Sequence, residues 1–200
     1  MRTIAQAQAD QIIANHEVWL SSGGLAGERG DLSYCHLSDL NLTRKNLSQM
    51  QMYSSKFENC DFSQSILNYG DLTQSSFNGS TLIDCKLANV QAKNASFQNA
   101  DLSHSILDDG IFNAANFRYA NLQETFFWNT NVSYADFTEA DLLGADLRGA
   151  NFSMARLVLT NLTEVALDLT TNFRGIDLAG ATLNGVHPLF LIRSMVLSEV

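Results

Sequence analysis

From Leu32 to Leu167 every fifth residue is apolar, without a gap. These 28 positions hold 16 Leu, 9 Phe, Met52, Ala92 and Val132. A period of five matches neither the 3.6 of a helix nor the 2 of a strand. It demands a backbone that turns a corner every five residues. Two residues before each large position runs a second column, small at 25 of its 28 positions. Its three exceptions, Leu40, Lys45 and Met50, are consecutive and lie at the start. Each five-residue side therefore sends one large and one small side chain inward.

Reading the large column every 20 residues sets the number of sides. Phe57, Phe77, Phe97, Phe117 and Phe137 form an unbroken phenylalanine ladder. Leu82, Leu102, Leu122, Leu142 and Leu162 form a leucine ladder, as do Leu47, Leu67, Leu87 and Leu107. Like residues stack only if four sides close one coil. The fold class is an all-β solenoid in which each coil touches its neighbours alone. From Leu167 the next large residues are Phe173, Leu178 and Leu183, so one extra residue is expected to bulge near 170–172.

Units such as Ala140-Asp141-Leu142-Leu143-Gly144 and Ala145-Asp146-Leu147-Arg148-Gly149 resemble those of the pentapeptide-repeat family. The resemblance implies a right-handed quadrilateral β-helix of seven to eight coils, with short helical caps at both termini. Seven coils at ~4.8 Å give a rod of roughly 34 Å. The chain then divides into a helical cap and glycine-rich lead-in at 1–29, the β-helix at 30–185, and an apolar cap or dimerisation segment at 186–200.

An open solenoid end exposes unpaired strand edges, so both ends need covers. Thr3 with Gln6 suits a capping box. Ala5, Ala9, Ile12 and Trp19 share one helical face, with His16 the polar member of the stripe. A helix over Thr3 to Leu20 is expected to lie on the first coil and to account for Leu40, Lys45 and Met50. After Pro188, Leu189, Ile192 and Val196 predict a short C-terminal helix and a candidate dimer contact. The topoisomerase-protecting relatives join through that end, so the resemblance implies a homodimer there.

The formal charge of -9 argues against direct nucleic-acid binding, which rests on clustered Lys and Arg. No apolar run approaches the ~20 residues of a membrane span, and Met1 to Leu20 lacks the apolar region of a secretory signal. A bacterial, cytoplasmic protein without membrane contact is the expectation. Cys35, Cys60 and Cys85 all fall in the small inward column, where sulfur fills a corner. His16, His36, His104 and His187 are dispersed, with no metal or nucleophile spacing. A convex rod with filled columns offers no pocket to hold a substrate or shift a carboxyl. No enzyme, cofactor or metal is expected.

Function must then lie on the outer surface. One side carries Asp61, Asp84, Asp101, Glu124, Asp141 and Glu164 against a single Arg44, one carboxylate per coil over six coils. The opposite side, with Asp31, Asp71, Asn131 and Asn151, is nearly neutral. Ile106, Ile111, Phe126 and Trp128 stand where outward residues are usually polar, which marks an apolar patch fit for interface anchors. The reading is a non-enzymatic interaction rod that presents a rigid acidic surface to a protein partner. The family resemblance supplies two alternatives. One is a DNA-mimicking binder or protector of DNA gyrase, a topoisomerase, of the quinolone-resistance type. The other is a secreted bacterial effector. Members of the quinolone-resistance group often carry loops that interrupt the rod, and the Leu32–Leu167 repeat has none.

Overall fold

The computed structural model describes residues 1–186. Strand β1 (Arg2–Thr3) leads into helix α1 (Gln6–Ser21), and strand β2 (Cys35–His36) opens the coils. Beyond β2 the chain is held by single-rung parallel bridges, one per five-residue side. Each links a residue to the one 20 further on, from Asp31↔Gln51 to Asp146↔Ala166. Four sides thus close each coil.

Every side is built alike. The large residue's N–H donates to the coil above, as from Leu32 to Gln51 O at 2.8 Å, and Gln51 N–H returns a bond to Gly30 O at 3.0 Å. The chain then turns, with Ser65 N–H donating to Phe62 O at 2.9 Å. The third residue of each turn is left-handed, and glycine occupies few of these corners. Asn59 (φ 58°), Ala114 (φ 56°) and Glu124 (φ 54°) are typical. A left-handed residue costs roughly 1–2 kcal/mol. Three inter-coil backbone hydrogen bonds and a buried large side chain per side offset that cost.

The large column is fully buried through Leu157. The phenylalanine ladder stacks with centroids 5.0, 5.1, 5.1 and 4.8 Å apart and ring planes within 15° of parallel. Coil spacing therefore sets the ring spacing. Small-column hydroxyls are buried but satisfied. Ser55 donates to Leu32 O at 2.5 Å, Ser105 to Leu82 O at 2.5 Å and Thr130 to Leu107 O at 2.9 Å. The small column thus does more than leave room. Where it holds Ser or Thr, it stitches the corner to a large residue of the coil below.

The register changes at the last coil, where pairing becomes Asn151↔Asn172, Arg156↔Asp177 and Asn161↔Thr182. The extra residue is accommodated by Asp168. Its Oδ1 accepts from Gly149 N–H at 3.2 Å, Thr170 N–H at 2.9 Å and Thr171 N–H at 3.0 Å.

The N-terminal cap differs from the expected helix at its start and ends within one residue of it, at Ser21. Thr3 is not a helix cap, because β1 pairs in parallel with β2 (Arg2↔Cys35, Thr3↔His36) and extends the ladder one rung below the first coil. The helix starts after Ala5, whose N–H donates to Gln8 Oε1 at 3.1 Å. Gln6 is free for another task. Its Nε2 donates to Asn41 O at 3.0 Å, and Asn41 N–H donates to its Oε1 at 2.9 Å. The buried helical stripe is Ala9, Ile13 and His16, with Ile12 only half-buried and Ala5 exposed. Leu40 and Met50 are buried in the first coil, beside this stripe.

Candidate functional site

On the acid side the outward residues just before the central large residue read Asn41, Asp61, Thr81, Asp101, Asn121, Asp141, Asn161 up the rod. Carboxylates alternate with neutral groups, so like charges sit two coils apart, about 10 Å at ~4.8 Å per coil. Two of the intervening amides each bond the aspartate one coil below. Asn121 Nδ2 donates to Asp101 at 3.0 Å, and Asn161 Nδ2 donates to Asp141 at 2.8 Å. Each Asp also holds its own side's backbone, accepting from Ser63, Ser103 and Leu143 N–H at 2.9, 3.0 and 3.1 Å. Asp84, Glu124 and Glu164 occupy left-handed corners on the far edge of the side and are exposed. The six carboxylates therefore zigzag, one per coil, between half-buried and exposed positions. His104 Nδ1 lies 3.3 Å from Glu124. The Lys and Arg ion pairs among the described residues, Lys56–Glu58, Arg118–Asp136 and Arg148–Asp146, all lie on other sides.

The neighbouring side carries the apolar patch. Bridges link Ile66, Lys86, Ile106, Phe126 and Asp146 in one outward column. Phe126 and Trp128 are 46% and 50% exposed. Ile106 is half-buried in the coil below, while Ile111 stands one corner further round, bridged to Asn131. Asp108 accepts from Trp128 N–H at 2.9 Å. Burial pushes its carboxyl up, and Asp109 and Asp146 add to the rise. Leu189, Ile192 and Val196 lie outside the described residues.

The sequence model of the family described as Pentapeptide repeats matches in eight copies, over residues 31–68, 71–109, 95–131, 111–145 and 129–163. This chain is a pentapeptide-repeat protein. No curated protein sequence matches it. Among solved structures it is similar to HetL, a pentapeptide repeat protein involved in heterocyst differentiation regulation from the cyanobacterium Nostoc sp. strain PCC 7120. That match has 21% identity over 76% of this chain and 82% of HetL, with a TM-score of 0.41. A trypsin-treated form of QnrB1, a plasmid-mediated fluoroquinolone resistance protein, matches at 21% identity over 83% of this chain and 87% of its own, with a TM-score of 0.48. A pentapeptide repeat protein of the Arabidopsis thaliana thylakoid lumen matches at 26% identity over 46% of this chain and 61% of its own, with a TM-score of 0.37.

In this pentapeptide-repeat protein the three cysteines are free and buried. Burial pushes the Cys60 thiol up to about 11 and the Cys85 thiol up to about 12. Both donate to main-chain carbonyls in the coil below, Cys60 to Leu37 O at 3.0 Å and Cys85 to Phe62 O at 2.9 Å. They are serine-like stitches. Among the described residues no three His, Cys, Asp or Glu side chains converge as a metal would need, and no helix is long and apolar enough to cross a membrane. An open cleft of about 300 Å³ lies beside the cap, bordered by Arg2, Asn15, Arg29 and Asp31. The repeat pattern could not find the buried His16, which joins the cap to the rod. Its partners, Ser48 O at 2.9 Å and Gly30 N–H at 3.0 Å, are remote in the chain.

Proposed function

We propose that the protein works without catalysis, as a rod that presents its acidic side to a basic surface on a protein partner in the cytoplasm. One observation carries this reading. Six carboxylates occupy a single side, one per coil, while the Lys and Arg ion pairs lie on the other sides. Free, buried thiols suit a reducing compartment. The rod is read as right-handed, the winding that the family resemblance implies.

The test uses the native host. A partner captured by the full chain at low salt should be lost when Asp61, Asp101 and Asp141 become Asn, a change that keeps the backbone-bonding oxygen. Capture should persist with Asp31→Asn and Asp71→Asn on the opposite side. Equal capture by both variants would sink the acidic-side reading.

The zigzag also favours a second reading, imitation of duplex DNA toward a topoisomerase such as gyrase. B-DNA carries one charge per ~1.7 Å. One carboxylate per coil at ~4.8 Å is about a third of that density. Competition between the rod and duplex for purified gyrase decides it, with no displacement expected if the partner is another protein.

Association of two copies through the C-terminal end belongs to the same proposal. Its support is the end of the rod, where Leu178, Leu183 and Val186 are only partly covered. Light scattering should show a dimer that separates when charges replace Ile192 and Val196.

A further inference from the structure

We infer that the strip formed by Ile106, Phe126 and Trp128 docks a basic amphipathic helix of a protein partner, with cationic residues on the helix flanks meeting Glu124 on one edge and Asp108 and Asp109 on the other. This rests on the reading of the chain as a protein-binding rod, but not on the half-buried aspartates of the acid side.

Three observations lead to that occupant. First, the strip is apolar where the same columns elsewhere are polar: below and above Phe126 and Trp128 stand Lys86, Asp146, Asp108 and Arg148. Two half-exposed aromatic rings two residues apart on a rigid convex surface are what interface anchors use.

Second, carboxylates flank the strip on both edges. Glu124 stands at the exposed corner two residues before Phe126, and Asp109 at the exposed corner one coil below Asn129. Asp108 is fixed by its bond from Trp128 N–H. The nearest arginine in its column, Arg148, is committed to Asp146, donating from Nε at 2.9 Å and from Nη2 at 2.5 Å. Asp108 thus receives no Lys or Arg bond among the described residues, and burial first, then Asp109 and Asp146, raise its carboxyl. A partner's Lys or Arg supplies the missing charge.

Third, the spacing suits a helix. Successive coils rise ~4.8 Å and successive helical turns ~5.4 Å. A helix laid along the rod axis therefore puts one turn over the coil of Ile106 and the next over the coil of Phe126 and Trp128. An apolar stripe with basic flanks matches the strip in pattern, charge and pitch.

The test is direct binding of a labelled synthetic leucine–lysine amphipathic helical peptide to the full chain, read by anisotropy. A peptide of the same composition in scrambled order, unable to form an apolar stripe, is the control. Saturable binding is expected, weaker by about tenfold or more for the scrambled peptide and for the exposed-residue variant Phe126→Ser with Trp128→Ser. Asp108→Asn should weaken it too, while Asp61→Asn, Asp101→Asn and Asp141→Asn together should leave it unchanged. Equal binding of the scrambled peptide, or no saturable binding, overturns the proposal. If loss of binding follows only the three aspartates, the acid side is the docking surface and the strip is not. If the wild type is a dimer that Phe126→Ser with Trp128→Ser separates, the strip belongs to a second copy of the chain.

Discussion

The side-chain amide of Gln6 pairs with the main chain of Asn41 as a neighbouring strand would, donating to its carbonyl at 3.0 Å and accepting from its N–H at 2.9 Å. One rung below the first coil is thus assembled from unrelated pieces. Strand β1 serves the side of Cys35–His36, Gln6 serves the acid side, and His16 with Arg29 serves the next, bonding Ser48 O and Gln49 O. Gln6→Ala should lower stability by about 1 kcal/mol, the usual worth of such bonds. It should also speed hydrogen exchange of the Asn41 amide without touching amides of the central coils. Unchanged exchange at Asn41 would show that the rung contributes nothing.

Phe97 is fully buried, with rings of Phe77 and Phe117 each 5.1 Å from its own. Phe97→Ala leaves a cavity that flanking coils cannot collapse into, because their spacing is held by backbone bonds. A loss of ~3–5 kcal/mol is expected on chemical unfolding. Phe97→Leu should be far milder, since the same column already holds Leu37 and Leu157 at its ends. A loss below about 1 kcal/mol for the alanine variant would contradict the stacked core.

The coils were legible in the sequence because an inward position repeated every five residues has no alternative to being apolar, and Phe57 to Phe137 repeat at the period of the coil itself. The cap was not. Whether Thr3 or Ala5 precedes the helix depends on β1 pairing with β2, and the use of Gln6 depends on Asn41, 35 residues away. Periodicity carries no information about such side-chain bonds. On the surface, the side of each acid could be read from the period. The bonds that Asp101 and Asp141 accept from the amides of Asn121 and Asn161 on the next coil could not.

The left-handed corners give a paired prediction. Ala114 has φ 56° and an exposed side chain, so Ala114→Gly relieves the conformational cost and should stabilise by about 0.5–1 kcal/mol, after the entropy that glycine adds to the unfolded chain. Gly149 has φ 72°, and an added Cβ would lie 2.6 Å from Asn129 Oδ1. Gly149→Ala should destabilise by roughly 1 kcal/mol or more. Melting temperatures that move in the same direction for both would refute this account of the corners.

Cys60 and Cys85 should react slowly with a thiol reagent in the folded protein and rapidly once it unfolds. Their thiols ionise near 11 and 12 when folded but at the ordinary value, about 8.5, in the unfolded chain. The stability they lend is therefore complete below about pH 8.5 and declines as pH rises toward the folded values. Cys60→Ser and Cys85→Ser copy the hydroxyl stitches of neighbouring corners and should remove that alkaline decline. Fast native-state labelling of either thiol would place it outside the core.

His16 makes the opposite acid-side prediction. It is fully buried, and because Gly30 N–H donates to its Nδ1, the ring's one proton sits on Nε2 and is given to Ser48 O. Burial pulls its pKa below the usual value; the Ser48 bond opposes this, Arg29 adds to it, and Glu17 works against it. A second proton would set Nδ1–H against Gly30 N–H with no acceptor between them. The unfolded chain takes that proton at about pH 6.5 and the folded chain only lower, so stability is complete above about 6.5 and falls as pH drops through that window. Asp168 and Asp136 act separately. Burial raises each carboxyl, but bonds from Thr170, Gly149 and Thr171 to Asp168, and from Thr138 and Arg118 to Asp136, outweigh it and hold both below the usual range. Their contribution is lost only as pH falls below about 4. Two acid steps should thus appear in unfolding midpoints. The upper one should carry faster exchange of the Gly30 amide and should vanish in His16→Gln, whose amide can keep both bonds. If wild type and His16→Gln lose stability equally between about pH 7 and 5, His16 is not the group that titrates.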